Sequence, residues 1–298
     1  MTNTLYIIGN GFDLHHGIQS SFRAFGEYLR DHDQATYNVL ERYFDVDSEF
    51  WAEFEEQLAD RDALIDHASN WLVSYDAADW RDAYHHDFQY EMDRDIEAIS
   101  TTLRLRFGEW VRQIRIPEPS EIACNRLPID KSATYLNFNY TPSLQRLYSV
   151  PDAHILHIHG KATDSDAQLV LGHGWEPEEN PDPFRFERDP QDAADMRVVE
   201  GHRAIDEYFR DTFKPTPQII RDNTAFFGNL SQVERIFVMG HSLSRVDHRY
   251  FREVIRNIDS NRATWKISYF DDLKGLRARF EEFGITPHLV EFAPLSDF

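Results

Sequence analysis

Cysteine is almost missing from this chain: Cys124 is the only one in 298 residues. A single thiol can form no intrachain disulfide and no four-cysteine zinc module, and the expectation is a reducing compartment. Basic residues are also scarce, with 31 Lys and Arg against 52 Asp and Glu, which leaves a net charge of −21. That excess repels nucleic-acid backbones over most of the surface and leaves room only for a local basic groove. Long apolar runs are lacking too. None approaches the roughly 20 residues of a membrane span, and the N-terminus has no basic n-region followed by a long apolar stretch, so the chain reads as cytoplasmic. No internal repeat or low-complexity tract interrupts it. What remains is 41% hydrophobic and 14% aromatic, enough for one large core or two modest ones.

Strand-like runs recur at residues 4–8, 133–138, 154–158, 168–172, 233–239, 264–270 and 288–292, with helical patterns between most of them. This alternation predicts an α/β protein built on a parallel sheet. A long excursion, residues 34–116, carries Phe50, Trp51, Phe54 and Leu58 on one helical face and Phe88, Met92, Ile96, Ile99 and Leu103 on another. It reads as a large helical insertion whose aromatic stripes are core. Pro117, Pro119 and Pro128 mark its exit, so residues 116–131 read as a linker back to the sheet, and the α/β core comprises residues 1–33 and 117–298. Residues 173–195 hold four prolines and eight acids against two arginines, fit no regular element, and suggest a mobile lid over a site.

Four motifs fall at strand ends, where open parallel sheets place their ligands. Leu5-Tyr6-Ile7-Ile8 runs into Gly9-Asn10-Gly11-Phe12-Asp13, a glycine turn that suits a phosphate held near a helix start and equally suits a plain tight connection. Asn139, in Asn137-Phe138-Asn139-Tyr140-Thr141, has an amide that can hold a sugar hydroxyl or a water, or cap the following helix. In His154-Ile155-Leu156-His157-Ile158-His159-Gly160 alternation puts His157 and His159 on one face. Either could be a general base, with His157 the more structural and His159 abutting the glycine. The fourth, Met239-Gly240-His241-Ser242-Leu243-Ser244, repeats the strand, glycine turn and helix layout, with Ser242 able to bond a phosphate or ribose oxygen and Ser244 or Asp247 able to cap the next helix. Ser242 lacks the flanking glycine of a nucleophile elbow.

Taken in order, IIGNGFDLHHG at 7–17, FWAEFEEQL at 50–58, NFNYT at 137–141, HIHG at 157–160, LVLGHG at 169–174 and GHSLSRVDHRYF at 240–251 resemble the bacteriophage abortive-infection AbiH family over nearly the whole chain. His15 and Gln19 stand where small residues and proline are more typical. AbiH proteins are in turn remotely similar to the sirtuin-like, Rossmann-like NAD-binding domains of other bacterial defence effectors. The resemblance implies that Gly9, Asn10, Gly11 and Asp13 form a dinucleotide loop, that Asn139 and His159 are the catalytic pair, and that Gly240, Ser242 and Asp247 are a second contact region. It implies an anti-phage effector that binds NAD and hydrolyses it to nicotinamide and ADP-ribose, an NAD glycohydrolase without a metal. Its partners would be NAD or a related nucleotide and a phage-derived or protein trigger, with no membrane and with a homo-oligomer open. The zinc ribbon of protein deacylases cannot be built from one cysteine. Two other readings stay open: a metal-dependent phosphodiesterase or nuclease using Asp13, His15, Asn139, His157 and His159, and a non-catalytic nucleotide sensor or assembly module.

Overall fold

The computed structural model describes residues 3–70, 80–81, 83–163, 169–179, 181 and 195–298. The chain forms two compact units, one comprising Met1–Ala24, Gly108–Val170 and Pro215–Phe298, the other Phe25–Phe107 and Leu171–Lys214.

The first unit is the α/β core. Six strands, β1 (Thr4–Ile8), β2 (Thr134–Asn137), β3 (Ile155–His157), β4 (Arg235–Met239), β5 (Thr264–Tyr269) and β6 (Val290–Pro294), form one sheet in the order β3-β2-β1-β4-β5-β6, with every pairing parallel. This is the strand order of the Rossmann-like fold, and the chain reverses its direction of travel between β1 and β4. β1 is buried along its length because its two faces feed two cores. Leu5 and Ile7 join Leu136, Ile236, Val238 and the helix residues Tyr250, Phe251 and Val254. Tyr6 and Ile8 join Phe12, Tyr135, Leu144, Tyr148 and Met239 on the opposite side. The proline-marked segment after residue 116 packs as part of this second core through Ile116, Ile122 and Leu127, with Leu127 N–H donated to the Tyr148 hydroxyl at 2.8 Å.

One expected strand does not form. Gln168 lies outside the described residues, and Leu169–Gly172 makes no ladder: Val170 N–H reaches the His159 carbonyl at 2.9 Å, and His173 makes a single bridge to Phe213. The apolar residues that suggested a strand, Leu169 and Leu171, are buried by side-chain packing instead.

The second unit is helical, and its boundaries differ from those read in the sequence. It begins at Phe25 and ends its first part at Phe107, and it also takes in 171–214, which the sequence reading assigned to the core. The reason is the helix Met196–Asp211, whose Val199, Ile205, Tyr208 and Phe209 are buried in a unit where that helix packs on Ala83–Glu97. The aromatic stripes are core, with Phe50, Trp51, Phe54, Leu58, Phe88, Met92, Ile99 and Leu103 all buried. Two short helices, Ser48–Ala52 and Phe54–Gln57, carry the first stripe, and Trp51 stacks on Phe54 at 5.3 Å between ring centres. Most of the acidic 173–195 segment read as a lid lies outside the described residues. Its last residue, Asp195, caps Met196–Asp211 by accepting Arg197 N–H at 3.0 Å. Among the described residues no helix is long and apolar enough to cross a membrane.

Candidate active site

The carboxyl ends of β1, β2, β3 and β4 lie side by side in the α/β unit, since Ile8 pairs with both Asn137 and Met239, and Asn137 with His157. All four motifs therefore meet at the point where strand order reverses. The two glycine turns interlock there. Gly9 N–H bonds the Met239 carbonyl at 3.0 Å and Gly11 N–H the Gly240 carbonyl at 2.7 Å. A Cβ on Gly9 would sit 2.6 Å from His241 Cα, and one on Gly240, whose φ is +68°, would sit 2.1 Å from Phe12 N. The absence of side chains thus serves the contact between two loops. The amides of Gly9, Gly11 and Phe12 bond protein carbonyls and Gly240 N–H bonds Ser268 Oγ at 2.7 Å, so these four donors are engaged within the protein. Asn10 is also engaged, its Oδ1 accepting from the Ser20 hydroxyl at 2.6 Å.

Asp13, one turn further on, is fully buried. Thr141 donates its hydroxyl to Asp13 Oδ2, and burial pushes the carboxyl up from its ordinary 3.8 to about 6, although Ser143, Thr141 and Asn139 nearby all work to lower it. Asp13 Oδ1, Asn139 Nδ2 and Ser143 Oγ are buried without a well-aligned hydrogen-bond partner, so the proximity of Ser143 and Asn139 to the carboxylate is not matched by good bonding geometry. Buried polar atoms left in this state are uncommon in folded proteins. Asn139 is held by its backbone, with its N–H on Asn137 Oδ1 at 3.0 Å and its carbonyl accepting from His157 Nδ1 at 3.0 Å.

His157 has both ring nitrogens occupied: Nδ1 donates to that carbonyl and Nε2 accepts from the Gln145 amide at 2.9 Å. It fixes the loop that carries Asn139. His159, two residues on, is 3% exposed. Its ring lies edge-on to Phe138 with centres 5.3 Å apart, and its Nε2 is 3.5 Å from Asp247 Oδ1. Asp247 does not use its side chain to cap His248–Asn257; its other oxygen is 3.4 Å from His241 Nε2. Ser242 is exposed, and its carbonyl accepts from Arg279 Nε at 3.0 Å. The backbone between them is strained. Leu243 has a φ of +55°, a left-handed conformation costing a branched L-residue roughly 1–2 kcal/mol, and this turn sends Leu243 N–H to His241 Nδ1 at 2.9 Å and its carbonyl to His248 Nε2 at 3.1 Å.

The order of these motifs along the chain decides its kinship: the family model for bacteriophage abortive infection AbiH matches residues 5–269. The chain belongs to the AbiH family. That kinship makes it a protein of phage abortive infection and defence. No curated protein matches the sequence. In this AbiH chain Gly9, Asn10, Gly11, Asp13, Asn139, His159, Gly240, Ser242 and Asp247 all lie at one end of one sheet, but not in equivalent situations. Asn139, His159 and Asp13 supply buried polar groups. Gly9, Gly11 and Gly240 join the loops, and Asp247 stands against two imidazoles. Sequence reasoning passed over Thr141 and Ser143, which border Asp13, and His241. The S/T-rich run after Asn139 was a usable signal for the first two. Nothing local marks His241.

His15 and His157 are placed away from metal ligation. His15 Nε2 donates to the Asn125 carbonyl at 3.0 Å, and His157 is engaged as described. Among the described residues no group of three or more His, Cys, Asp or Glu is arranged to hold a metal ion. His16, the second histidine of the DLHHG motif, is structural. Nδ1 donates to the Phe12 carbonyl and Nε2 accepts from the Tyr148 hydroxyl, both at 2.7 Å, and burial holds its pKa down to about 4.

Proposed function

We propose that this chain is an abortive-infection effector that binds NAD and hydrolyses it to nicotinamide and ADP-ribose. The observation that carries this reading is the set of buried polar atoms without well-aligned partners, Asp13 Oδ1, Asn139 Nδ2 and Ser143 Oγ, at the switch point of a Rossmann-ordered sheet whose third strand leads into His159 at the same sheet end. Open α/β sheets take nucleotides there. A ribose offers hydroxyls able to donate to the Asp13 carboxylate and accept from the Asn139 amide and the Ser143 hydroxyl, so the residues fit the group. The sirtuin-like resemblance read in the sequence would imply the same ligand.

The chemistry asks little of the protein. Nicotinamide carries a positive charge on its glycosidic nitrogen and leaves neutral, so the transition state is an oxocarbenium-like ribose. Asp13 favours that developing positive charge electrostatically, Asn139 orients the ribose or the attacking water, and His159 takes the proton released when water adds to C1 of the sugar. Gly9, Gly11 and Gly240 set the two turns that bear these groups, while the exposed Ser242 hydroxyl and Asn10 contact the nucleotide at the rim. No metal enters this scheme.

The test is to incubate the purified full-length chain with NAD and follow nicotinamide release with and without EDTA. Release that persists in chelator supports the proposal, as does a fall of about 10²–10⁴ in turnover for folded Asn139→Ala and His159→Ala. Loss with EDTA, restored by a divalent ion, would replace it with the phosphodiesterase reading. Stoichiometric NAD binding without turnover would replace it with the sensor.

A further inference from the structure

Asp247 lies between two imidazoles, and the protonation of one is fixed by the backbone. His241 Nδ1 accepts Leu243 N–H, so its own proton is on Nε2, which faces Asp247 Oδ2 at 3.4 Å. Asp247 Oδ1 is 3.5 Å from His159 Nε2, an ion-pair distance at which Nε2 makes no aligned hydrogen bond. The three side chains are 3%, 4% and 9% exposed for His159, His241 and Asp247, and a carboxylate at that depth is stable only when paired. Phe138 fills the space beside both rings, with its centre 5.3 Å from that of His159 and 4.4 Å from that of His241. The left-handed turn at Leu243 is the feature that aims His241 at the carboxylate.

We propose that Asp247 and His241 are positioning residues for His159, with Asp247 accepting the His159 Nε2 proton so that Nδ1 is the base, and His241 holding the second carboxylate oxygen. The identity of the reaction rests on the NAD reading, but the arrangement does not. Asp247 so placed is not the nucleotide contact the sequence suggested. In the reaction, His159 Nδ1 takes a proton from water as its oxygen bonds to C1 of the ribose, and the electron pair of the breaking glycosidic bond leaves with nicotinamide. The resulting imidazolium is balanced by Asp247, and its proton then returns to solvent. Among the described residues Tyr140 and Tyr250 also face His159, with ring centres at 6.1 and 5.6 Å.

Two measurements test this on the full-length chain. Nitrogen-15 NMR of the wild type reports the His159 tautomer directly. Protonated Nε2 with unprotonated Nδ1 is expected, and the opposite tautomer would overturn the proposal with no variant needed. Asp247→Asn is expected to lower kcat by about 10²–10³ with KM within about threefold of wild type, and to move the His159 titration and the acid limb of the pH profile downward together. His241→Ala should lose about tenfold in kcat, and His241→Gln, whose amide can donate from nearly the same position, should restore most of it. An Asp247→Asn protein with wild-type kcat and an unmoved His159 titration would sink the assignment. A wild type that releases no nicotinamide yet shows the expected tautomer, with the His159 titration still moved downward in Asp247→Asn, would count against the NAD reading alone.

Discussion

Gly240 shows most directly what a single residue contributes. With φ at +68° and a virtual Cβ only 2.1 Å from Phe12 N, it cannot carry a side chain without pushing the two turns apart. Gly240→Ala should therefore cost at least about 2 kcal/mol, from left-handed backbone strain and overpacking together, and lower the thermal unfolding midpoint with or without nucleotide. A variant as stable as wild type that only binds nucleotide less well would show that the glycine faces a ligand after all. Asp13 makes a second prediction. Its folded pKa of about 6 lies above the ordinary 3.8, so the folded state holds the proton more tightly than the unfolded chain. Its contribution to stability is full below about pH 3.8 and is lost as pH rises through 6, an effect on the order of 3 kcal/mol. Asp13→Asn does not titrate, so its stability relative to wild type should improve between pH 4 and 7 in denaturant titrations; a pH-independent difference would contradict the raised pKa. At this scale the sequence marks Asn139 and His159, because each is a polar residue just past the carboxyl end of a strand. It does not distinguish a ligand contact from a partner of another side chain. Asp247 is equally consistent with a cap, a nucleotide contact and a histidine partner until Leu243 turns left-handed and His241 swings toward it.

Elements were legible where their period was clean. Six strand-like runs correspond to β1–β6 because each is a short, largely apolar or β-branched and aromatic stretch, most of them bounded by glycine, proline or asparagine, whereas the order across the sheet, with β4 beside β1 and not β3, is set by long-range pairing that no local pattern shows. Residues 168–172 fail because burial of two leucines imitates a strand without any partner edge. The FWAEFEEQL motif was legible only in half. Its aromatics read as core, but nothing in the sequence singles out Glu55, whose carboxylate in the fold pairs with Lys214 Nζ at 2.8 Å and accepts Gly172 N–H at 3.3 Å, with Lys214 fully buried. A partner 159 residues away is invisible to any local pattern. Removing one member of such a pair strands a charge, so Glu55→Ala should destabilise the helical unit by about 3–5 kcal/mol, whereas Glu55→Leu combined with Lys214→Met should recover much of that loss. Hydrogen exchange within Met196–Asp211 would register the difference, and an unchanged Glu55→Ala protein would show the pair to be dispensable.

At the scale of the whole molecule, a net charge of −21 and a site made of buried carboxylate, amide and imidazole groups fit a small nucleotide better than a nucleic-acid strand. The AbiH kinship places the chain in phage abortive infection. The proposed NAD hydrolysis predicts a fall in cellular NAD after infection. Cells producing the wild-type chain should lose most of their NAD and release few phage, and cells producing His159→Ala at the same soluble level should keep their NAD and lyse. Glu55→Ala should also fail, but through reduced soluble protein, which separates loss of fold from loss of chemistry. Asp247→Asn should resemble His159→Ala in infected cells if the carboxylate acts through that imidazole. Full protection by a folded His159→Ala chain would mean that defence does not pass through this site, and undiminished NAD in protected wild-type cells would mean that the site acts on another substrate.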